Sequence, residues 1–288
     1  MSSASIVEQY ATDVASFNTR LCEMGVADIG RYYWYHSIDL PTDLPGGLTT
    51  PGMYDYRSNM EAFRLPERMN GMNVLDVGSA TGFFAFEFER RGAQVTSVEL
   101  PSLELLDRFP GQEIGPQLRT IQQGFGGFAH DYSAAVMHHY LLDAPFQLCA
   151  RLLGSRVERR YCTIYDLSPE RLGRAGFDLV FLGDILLHTL RPLEALVAAA
   201  RMCRGTLVVA QEMPGTNDDP PAMLYRGGEN PREDDICWWL PNQACFHQLL
   251  KKLGFGEVAA LGNNEGMARP AGSRYSRRIL HARRTVAP

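Results

Sequence analysis

From residue 73 onward, short apolar segments alternate with segments whose apolar residues recur every three or four positions. This alternation predicts an α/β protein in which parallel strands are joined by right-handed crossover helices. The predicted strands span residues 73–77, 94–99, 157–164, 177–182 and 206–211. The predicted helices span residues 82–91, 134–153, 192–202 and 243–253. Two later apolar segments, 256–262 and 277–283, predict an antiparallel hairpin that closes the sheet.

The first 68 residues have a different pattern, which predicts a helical and irregular lid segment at 1–68 ahead of a main domain at 69–288. Residues 4–24 carry apolar side chains at three- and four-residue spacing and predict a helix. Residues 32–56 are rich in aromatic residues, proline and glycine, which is typical of irregular structure. Residues 58–68 predict a second helix.

The composition fits one large globular domain and argues against several kinds of partner. The chain has 288 residues and a formal net charge of −5, whereas proteins that bind nucleic acids usually carry a basic excess. The arginines near the C-terminus, Arg277 among them, are interpreted as a solvated alternating strand. No apolar run reaches the roughly 18 residues of a membrane span, and the N-terminus lacks a signal-peptide pattern. Six scattered cysteines without a Cys-x-x-Cys pair fit a reducing compartment, so we expect a cytoplasmic protein without a membrane partner.

Residues 74–84 join a buried strand to a helix through a glycine-containing turn. Gly78 and Gly82 allow a sharp turn and bring the backbone close to a ligand. Glu99 ends the next predicted strand, 21 residues after Gly78. An acid about 20 residues beyond such a turn is placed to accept hydrogen bonds from both hydroxyls of a ribose. The pattern therefore predicts a site for a cofactor that contains a nucleoside.

Two kinds of cofactor compete for this turn. A dinucleotide site requires glycine at positions 80 and 83, because a pyrophosphate needs bare backbone at the helix N-terminus, and this chain has Ala80 and Phe83. S-adenosylmethionine carries no phosphate and tolerates both residues, and Asp76 suits its positively charged amine. We therefore predict S-adenosylmethionine as the cofactor.

Further cofactor contacts are predicted at the ends of other strands. Asp166 and Leu167 follow the third predicted strand, where a carboxylate can hydrogen-bond an adenine amine; alternatively, Asp166 caps the next helix. Gly183 and Asp184 end the fourth predicted strand, at the carboxyl edge where open α/β sheets bind ligands. The complete predicted set is Asp76, Gly78, Ser79, Gly82, Phe83, Glu99, Leu100, Asp166, Leu167, Gly183 and Asp184.

Six segments together resemble the methyltransferase family that includes the tRNA wobble-uridine 5-oxyacetate enzymes and their small-molecule relatives. The segments are 34–40 (WYHSIDL), 50–52 (TPG), 74–84, 177–188, 192–196 (PLEAL) and 238–242 (WWLPN). The resemblance extends over most of residues 32–255, and the set with both tryptophan-containing segments is much narrower than the glycine turn alone. It implies a Rossmann-like class I methyltransferase fold, which is a mostly parallel seven-stranded sheet with helices on both faces. It also implies transfer of a methyl group from S-adenosylmethionine.

Two features depart from the carboxymethyl-transferring tRNA branch of that family. The branch has tyrosine before the histidine of the fourth segment, where this chain has Leu187, which favours the ordinary cofactor over carboxy-S-adenosylmethionine. Residues 101–140 are also longer than expected between the second strand and the next core helix. This length predicts a specialised acceptor pocket.

Three side chains are candidates for a base or for orienting the acceptor. His188, just past the fourth strand, ranks first; alternatively, it is a helix-start histidine satisfied by the backbone. His36 ranks second and, in the alternative interpretation, holds the N-terminal segment over the cofactor. Glu212, after the fifth strand, ranks third and is otherwise a cap or loop anchor. The predicted substrate contacts are Trp34, Tyr35, Trp238, Trp239 and Asn242. Ordinary core packing is the alternative for the aromatic residues.

Polar residues with several prolines and glycines predict a lid loop at about 214–242. Two carboxylate pairs, Asp218-Asp219 and Asp234-Asp235, lie in this loop. A metal would require ligands that converge on one ion, and no metal site is predicted.

Three functions remain open from the sequence. The first, and our prediction, is a S-adenosylmethionine-dependent methyltransferase that acts on a small molecule in specialised metabolism; the acidic balance and the aromatic segments favour it. The second is a tRNA wobble-uridine methyl- or carboxymethyltransferase, which the resemblance favours and the net charge and Leu187 disfavour. The third is a non-catalytic protein that binds S-adenosylmethionine and acts through partners. The sequence specifies neither the methylated atom nor the oligomeric state.

Overall fold

The computed structural model of the protein describes residues 3–41, 47–125, 133–229 and 236–286. The helices in these ranges are α1 (Ser3–Glu23), α2 (Phe83–Arg90), α3 (Ile114–Phe125), α4 (Ala134–His138), α5 (Ala144–Leu153), α6 (Pro169–Leu172), α7 (Pro192–Met202) and α8 (Gln243–Lys252). The strands are β1 (Asp39–Leu40), β2 (Leu48–Thr49), β3 (Asn73–Val77), β4 (Gln94–Glu99), β5 (Glu158–Tyr161), β6 (Phe177–Gly183), β7 (Cys203–Gln211), β8 (Met223–Tyr225), β9 (Trp239–Pro241), β10 (Glu257–Ala268) and β11 (Ser273–Arg283). No helix in these ranges is long and apolar enough to cross a membrane.

The central sheet has seven strands in the order β10-β11-β7-β6-β3-β4-β5. Strands β3 to β7 are parallel, whereas β11 pairs antiparallel with β7 and β10 pairs antiparallel with β11. The strand order reverses beside β3, because the chain passes to β4 and β5 on one side before it returns to β6 on the other. Ligands of open α/β sheets bind at such a switch point, outside the carboxyl ends of the strands. This order is that of the Rossmann-like class I methyltransferase fold, so the fold class predicted from the sequence is confirmed.

Helices cover both faces of the sheet. Because successive side chains of a strand point to opposite faces, neighbouring residues of β3 are buried against different helices. Val74 packs with Phe84 of α2 on one face. Leu75, the next residue, packs with Leu196 of α7 and Phe246 of α8 on the other face. Both β3 side chains are completely buried. This double burial explains the apolar runs at 74–75 in β3 and 179–182 in β6.

The N-terminal lid segment packs on the α2 face of the sheet. Phe17 of α1 and Trp34 lie in the same apolar cluster as residues of β3 and β6. Arg269, which follows β10, fastens this segment to the C-terminal hairpin because its guanidinium donates a hydrogen bond of 2.7 Å to the carbonyl of Gly52. The lid segment and the sheet thus share one cluster, and the division at residue 68 stays a prediction.

The second predicted helix, 58–68, is a shorter 3-10 helix at Arg57–Phe63. Arg64 takes a left-handed conformation with φ of 49°, and Pro66 disfavours the helical conformation at Leu65. The helix therefore ends before the proline, and its predicted extent was wrong.

The predicted helix at 134–153 is interrupted by a π-helical turn, His139–Asp143, between α4 and α5. Pro145 has no N–H and cannot donate to the carbonyl of Leu141. Loss of this bond favours a wider turn ahead of the proline.

The C-terminal hairpin is longer than the two predicted segments, because β10 and β11 continue past the sheet edge and cover residues 57–63. Asn59 Nδ2 donates a hydrogen bond of 2.8 Å to the carbonyl of Glu265, and His281 Nε2 lies 2.9 Å from the carbonyl oxygen of Phe63. Strand β5 is instead shorter than predicted and forms the opposite edge of the sheet.

The long segment between β4 and α5 forms a cap, which we define as residues 101–125 and 133–142. Its apolar side chains form a separate cluster with Tyr33 of the lid segment. The buried cap members of this cluster are Leu103, Ile121, Ala134, Met137, Tyr140 and Leu141. His138 Nε2 lies 2.6 Å from the carbonyl oxygen of Leu100 and attaches the cap to the end of β4.

The predicted lid loop is partly regular, because β8 and β9 within it pair antiparallel. The backbone N–H of Trp238 donates a hydrogen bond of 2.7 Å to the carbonyl of Leu187, which fixes this part of the loop beside the end of β6. Residues 230–235 lie outside the described residues, and the predicted acidic pair Asp234-Asp235 lies among them.

Candidate functional site

A cavity of about 530 Å³ lies at the carboxyl ends of β3, β4 and β6, between the lid segment and the cap. Ten of the sequence-predicted site residues line it: Tyr35, His36, Asp76, Gly78, Ser79, Glu99, Leu100, Gly183, Asp184 and His188. Nine others do not line it: Trp34, Gly82, Phe83, Asp166, Leu167, Glu212, Trp238, Trp239 and Asn242. Its position is the switch point at which this kind of sheet binds ligands.

The turn after β3 brings bare backbone to the cavity. Gly78 has φ of 72°, and a Cβ atom there would lie 2.7 Å from Cδ1 of Ile185. Gly82 has φ of 94° and begins α2, where a Cβ atom would lie 2.6 Å from a ring carbon of Phe86. Arg159 stabilises the turn, because it donates a hydrogen bond of 3.0 Å to Ser79 Oγ. Both glycines are therefore required by the local geometry.

Asp76 lies at the base of the cavity and is 2% exposed. Its Oδ2 atom is buried without a hydrogen-bond partner among the described residues. Burial and the charge of nearby Glu99 raise the pKa of Asp76 to about 7, against the lowering effect of Arg159 and of the Ala85 backbone. A buried carboxylate in this position is stabilised by a ligand that carries positive charge.

Glu99 is held by two backbone amides. Its Oε2 accepts a hydrogen bond from the N–H of Ala80 and its Oε1 from the N–H of Leu100, both at 2.9 Å. A carboxylate offers about four lone-pair positions, so each oxygen can accept a further bond from a ligand hydroxyl. The side chain is already oriented for two neighbouring hydroxyls.

Thr163 and Ile164 also line the cavity, at the point where the chain leaves β5. Thr163 Oγ1 donates a hydrogen bond of 2.7 Å to Asp166 Oδ2, which leaves the hydroxyl oxygen free to accept one. Asp166 itself is exposed, and Leu167 is buried in the core. Thr163 was missed by the sequence analysis, although it precedes the singled-out Asp166 by three positions.

Asp184 and Arg277 form an ion pair at the cavity wall. Asp184 has φ of 47°, a strained conformation for a residue other than glycine. Its Oδ1 atom is buried without a partner among the described residues. Burial raises the pKa of Asp184, although Arg277 opposes this shift. The interpretation of Arg277 as a solvated strand residue is wrong, because its side chain is only 17% exposed.

His188 has one ring nitrogen bound to the backbone. Its Nδ1 lies 2.5 Å from the carbonyl oxygen of Ile236, and Sγ of Cys237 lies 3.7 Å from the same nitrogen. Because a carbonyl only accepts hydrogen bonds, the proton is on Nδ1 and Nε2 is the basic nitrogen. Burial lowers the pKa of His188, but Cys237, the Ile236 carbonyl and the charge of Asp184 outweigh burial and raise it above 6.5.

His36 also lines the cavity, in a different environment. Its ring lies 4.9 Å from the ring of Tyr35, 5.3 Å from that of Tyr56 and 5.5 Å from that of Phe83. Burial in this aromatic cluster lowers the pKa of His36 to about 3. A histidine with such a low pKa is neutral at physiological pH and a weak base.

The three predicted tryptophan contacts do not line the cavity. Trp34 packs in the core with its ring 5.1 Å from Phe17, and Trp238 is 1% exposed with its ring 5.4 Å from Phe109. Trp239 instead lines a separate shallow groove on the outside. Their roles toward a substrate stay predictions.

Asn242 and Glu212 also lie outside the cavity lining. Asn242 caps α8: its Oδ1 accepts a hydrogen bond of 2.8 Å from the N–H of Cys245, and its Nδ2 donates one of 2.8 Å to the carbonyl of Pro220. Glu212 is exposed. Within the described ranges, no three histidine, cysteine or acidic residues form a group that could hold a metal ion.

No protein-family model and no curated protein matches the chain. The N-terminal domain of EvdMO1, solved with S-adenosylhomocysteine bound, is 16% identical over 80% of this chain and 79% of that chain, with a TM-score of 0.46. Magnesium protoporphyrin IX methyltransferase from Synechocystis PCC 6803, solved with S-adenosylmethionine, is 14% identical over 75% of this chain and 72% of that chain, with a TM-score of 0.45. A 1,6-didemethyltoxoflavin-N1-methyltransferase from Burkholderia thailandensis is 16% identical over 75% and 72%, with a TM-score of 0.42. At these identities the likeness concerns the overall fold, and the narrower resemblance to tRNA-modifying enzymes stays a prediction.

Proposed function

We propose that the protein is an S-adenosylmethionine-dependent methyltransferase that acts on a small-molecule acceptor. The observation that carries the proposal is the pair of acids at the switch point. Glu99 is preset for two hydroxyls, and Asp76 is a buried carboxylate whose Oδ2 lacks a partner among the described residues. S-adenosylmethionine has a ribose diol for the first acid and an ammonium group for the second.

In this proposal, different residues of the chain contact different parts of the cofactor. Glu99 accepts hydrogen bonds from the ribose hydroxyls, and the Gly78 turn lets the methionine portion lie against the backbone. Asp76 balances the positive charge at the amine. We assign Thr163 Oγ1, which lines the cavity, to accept a hydrogen bond from the adenine amine. When bound, the cofactor supplies an electrophilic methyl group on a cationic sulfur.

His188 is the residue we assign as base. Its Nδ1–H is held by the Ile236 carbonyl, so Nε2 accepts the proton of the acceptor while the ring keeps its orientation. Asp184 lies at the start of the same short segment, and its charge favours the protonated ring. General-base assistance of this kind contributes about 10²–10⁴-fold, and alignment of the two substrates in an enclosed cavity contributes further.

A small acceptor is supported by the shape and chemistry of the cavity. We call the part of the cavity next to His188, beyond the proposed cofactor contacts, the acceptor end. It is enclosed by the lid segment and the cap, and it is lined mainly by aromatic and aliphatic side chains. The net charge of −5 also disfavours a nucleic-acid substrate.

The first test is the affinity for S-adenosylmethionine of the wild type and of Glu99→Gln, measured by isothermal titration calorimetry. The variant loses charge-assisted acceptors for two hydroxyls, worth about 3 kcal/mol together, or on the order of 100-fold in affinity. Glu67→Gln is the matched control, because Glu67 is exposed outside the cavity lining and we expect its substitution to change affinity little. Equal affinities of the wild type and Glu99→Gln for S-adenosylmethionine would contradict the proposed cofactor site. Tight binding without release of S-adenosylhomocysteine for any acceptor would instead favour the non-catalytic alternative.

A further inference from the structure

The acceptor end of the cavity has one aromatic wall. Tyr33, Tyr35 and Tyr54 of the lid segment all line it. The ring centroids of Tyr33 and Tyr35 are 6.4 Å apart, and those of Tyr35 and Tyr54 are 5.2 Å apart. Such a row of rings packs well against a flat, unsaturated ligand.

The other wall comes from the cap and is aliphatic. Leu103, Leu106, Ile121 and Leu141 line it, and Leu103, Ile121 and Leu141 are buried. None of these side chains can pair with a charge. The ligand therefore lies between a row of tyrosines and a layer of aliphatic groups.

The charged groups near this end already have partners. Arg277 is bound to Asp184 and also hydrogen-bonds the Tyr54 hydroxyl. Asp107 Oδ2 accepts a hydrogen bond of 2.7 Å from the N–H of Leu190 and is bound to the hydroxyl of Tyr165. Arg277 is the only arginine or lysine among the described lining residues, and His188 must be neutral to act as a base. An acceptor with a carboxylate or phosphate would therefore lose its water here without gaining a free permanent cation.

Two polar atoms at this end are hydrogen-bond acceptors. His188 Nε2 is the basic nitrogen of its ring, and Asp184 Oδ1 has no partner among the described residues. A ligand that satisfies them must donate a hydrogen bond. An aromatic hydroxyl does so, and it gives its proton to an imidazole more readily than an aliphatic alcohol does.

We infer that the acceptor is an uncharged aromatic molecule whose methyl-accepting group is a hydroxyl. The inference rests on the proposed function. In the reaction the hydroxyl proton passes to His188 Nε2, and the oxygen forms the new bond to the methyl carbon. The carbon–sulfur bond breaks with its electron pair on sulfur, which leaves S-adenosylhomocysteine. The proton later leaves His188 for solvent.

The experiment uses the full chain saturated with S-adenosylhomocysteine and four probes that share one ring system. These are 2-naphthol, 2-methoxynaphthalene, 2-naphthoate and the ammonium form of 2-naphthylmethylamine. Calorimetry at pH 8, which favours the neutral ring of His188, should show 2-naphthol binding at least about tenfold more tightly than each of the other three. Equal or tighter binding of either ion, or no binding of 2-naphthol, would overturn the inference.

Leu106→Lys tests the charge argument by gain of function. Leu106 is half-buried, so a lysine there can direct its amine into the cavity while its stem stays packed. We expect the preference for 2-naphthol over 2-naphthoate to fall by about tenfold or more. Leu193→Lys is the control, because Leu193 is 47% exposed and outside the cavity; its preference should match the wild type. An unchanged preference in Leu106→Lys would contradict the inference.

The titration with S-adenosylhomocysteine separates the two proposals. A protein that fails to bind it contradicts the proposed function. A protein that binds it but prefers an ionic probe contradicts only the assigned class of acceptor.

Discussion

Two acids share the base of the cavity, and they differ in how their charge is compensated. Glu99 has two backbone N–H groups, whereas Asp76 Oδ2 has no partner among the described residues. Asp76 therefore suits a cationic ligand but destabilises the folded protein when that ligand is not bound. This is a common compromise between stability and function.

This compromise predicts a pH dependence for the cofactor-free protein. Burial and Glu99 raise the pKa of Asp76 to about 7 in the folded chain, compared with about 4 in the unfolded chain. Because the folded state binds this proton more tightly, stability falls as the pH rises from about 4 to about 7. We expect Asp76→Asn to be more stable than the wild type at pH 8, by up to roughly 4 kcal/mol, and to have lost this advantage at pH 4.

Denaturant unfolding at a series of pH values measures the effect. Glu104→Gln, which removes an exposed carboxylate, should give a curve parallel to that of the wild type. If the unfolding free energies of Asp76→Asn and the wild type changed in parallel with pH, ionisation of Asp76 would not destabilise the fold, and the prediction would be wrong.

His188 gives the second prediction at this scale. His188→Asn removes the base but leaves the cofactor contacts, so S-adenosylmethionine affinity should hold while turnover falls by about 10²–10⁴-fold. Wild-type turnover should rise with pH through a pKa above 6.5, because only the neutral ring accepts a proton, and the variant should lack this rise. His139→Asn changes an exposed histidine and is the control. A variant that keeps the wild-type pH profile would exclude His188 as the base.

At the scale of elements, the lid loop depends on the helix cap that follows it. Asn242 joins the start of α8 to Pro220 through its side-chain amide. Asn242→Ala removes the cap and the tie together and should destabilise the fold by about 1–2 kcal/mol. Asn242→Ser can restore the cap but cannot reach Pro220 in the same way, so we expect it to recover part of the loss. Thermal unfolding of the three proteins measures the difference, and identical midpoints would show that the loop is held elsewhere.

The elements also show what a sequence can predict. Strands β3, β4 and β6 were predicted within one residue. In β3 and β6 the signal is a short apolar run, at 74–75 and 179–182, that burial on both faces requires. Glu99 and the Gly78 turn could be singled out because their relationship is a fixed spacing along neighbouring elements. Whether these residues bind a cofactor stays a prediction.

Other parts of the site could not be read from the sequence, because they depend on contacts between distant segments. Arg277 has the pattern of a surface strand residue, yet the fold places it against Asp184. The orientation of His188 depends on the carbonyl of Ile236, which belongs to the lid loop. The aliphatic wall depends on the packing of the cap with Tyr33 of the lid segment. The cap helix α3 was missed by the sequence analysis, although Ile114, Leu118 and Ile121 recur at helical spacing.

At the scale of the whole molecule, cofactor binding should be visible as stability. A ligand at 100 times its dissociation constant stabilises the native state by about 2.7 kcal/mol. We expect S-adenosylmethionine and S-adenosylhomocysteine to raise the unfolding midpoint. NAD should not, because Ala80 and Phe83 occupy the positions that a pyrophosphate needs. Thermal scans with all three ligands decide this, and a shift with NAD alone would point to the dinucleotide site instead.

The position of β11 bears on how the site is made during synthesis. β11 lies between β7 and β10, so β10 has no partner in the sheet until the later strand is in place. A ribosome delivers Asp76 and Glu99 long before Arg277, the β11 residue that completes the acceptor end. A nascent chain that has reached the end of α8 therefore holds every described lining residue of the cavity except Arg277. In such a chain Asp184 would still lack its ion-pair partner.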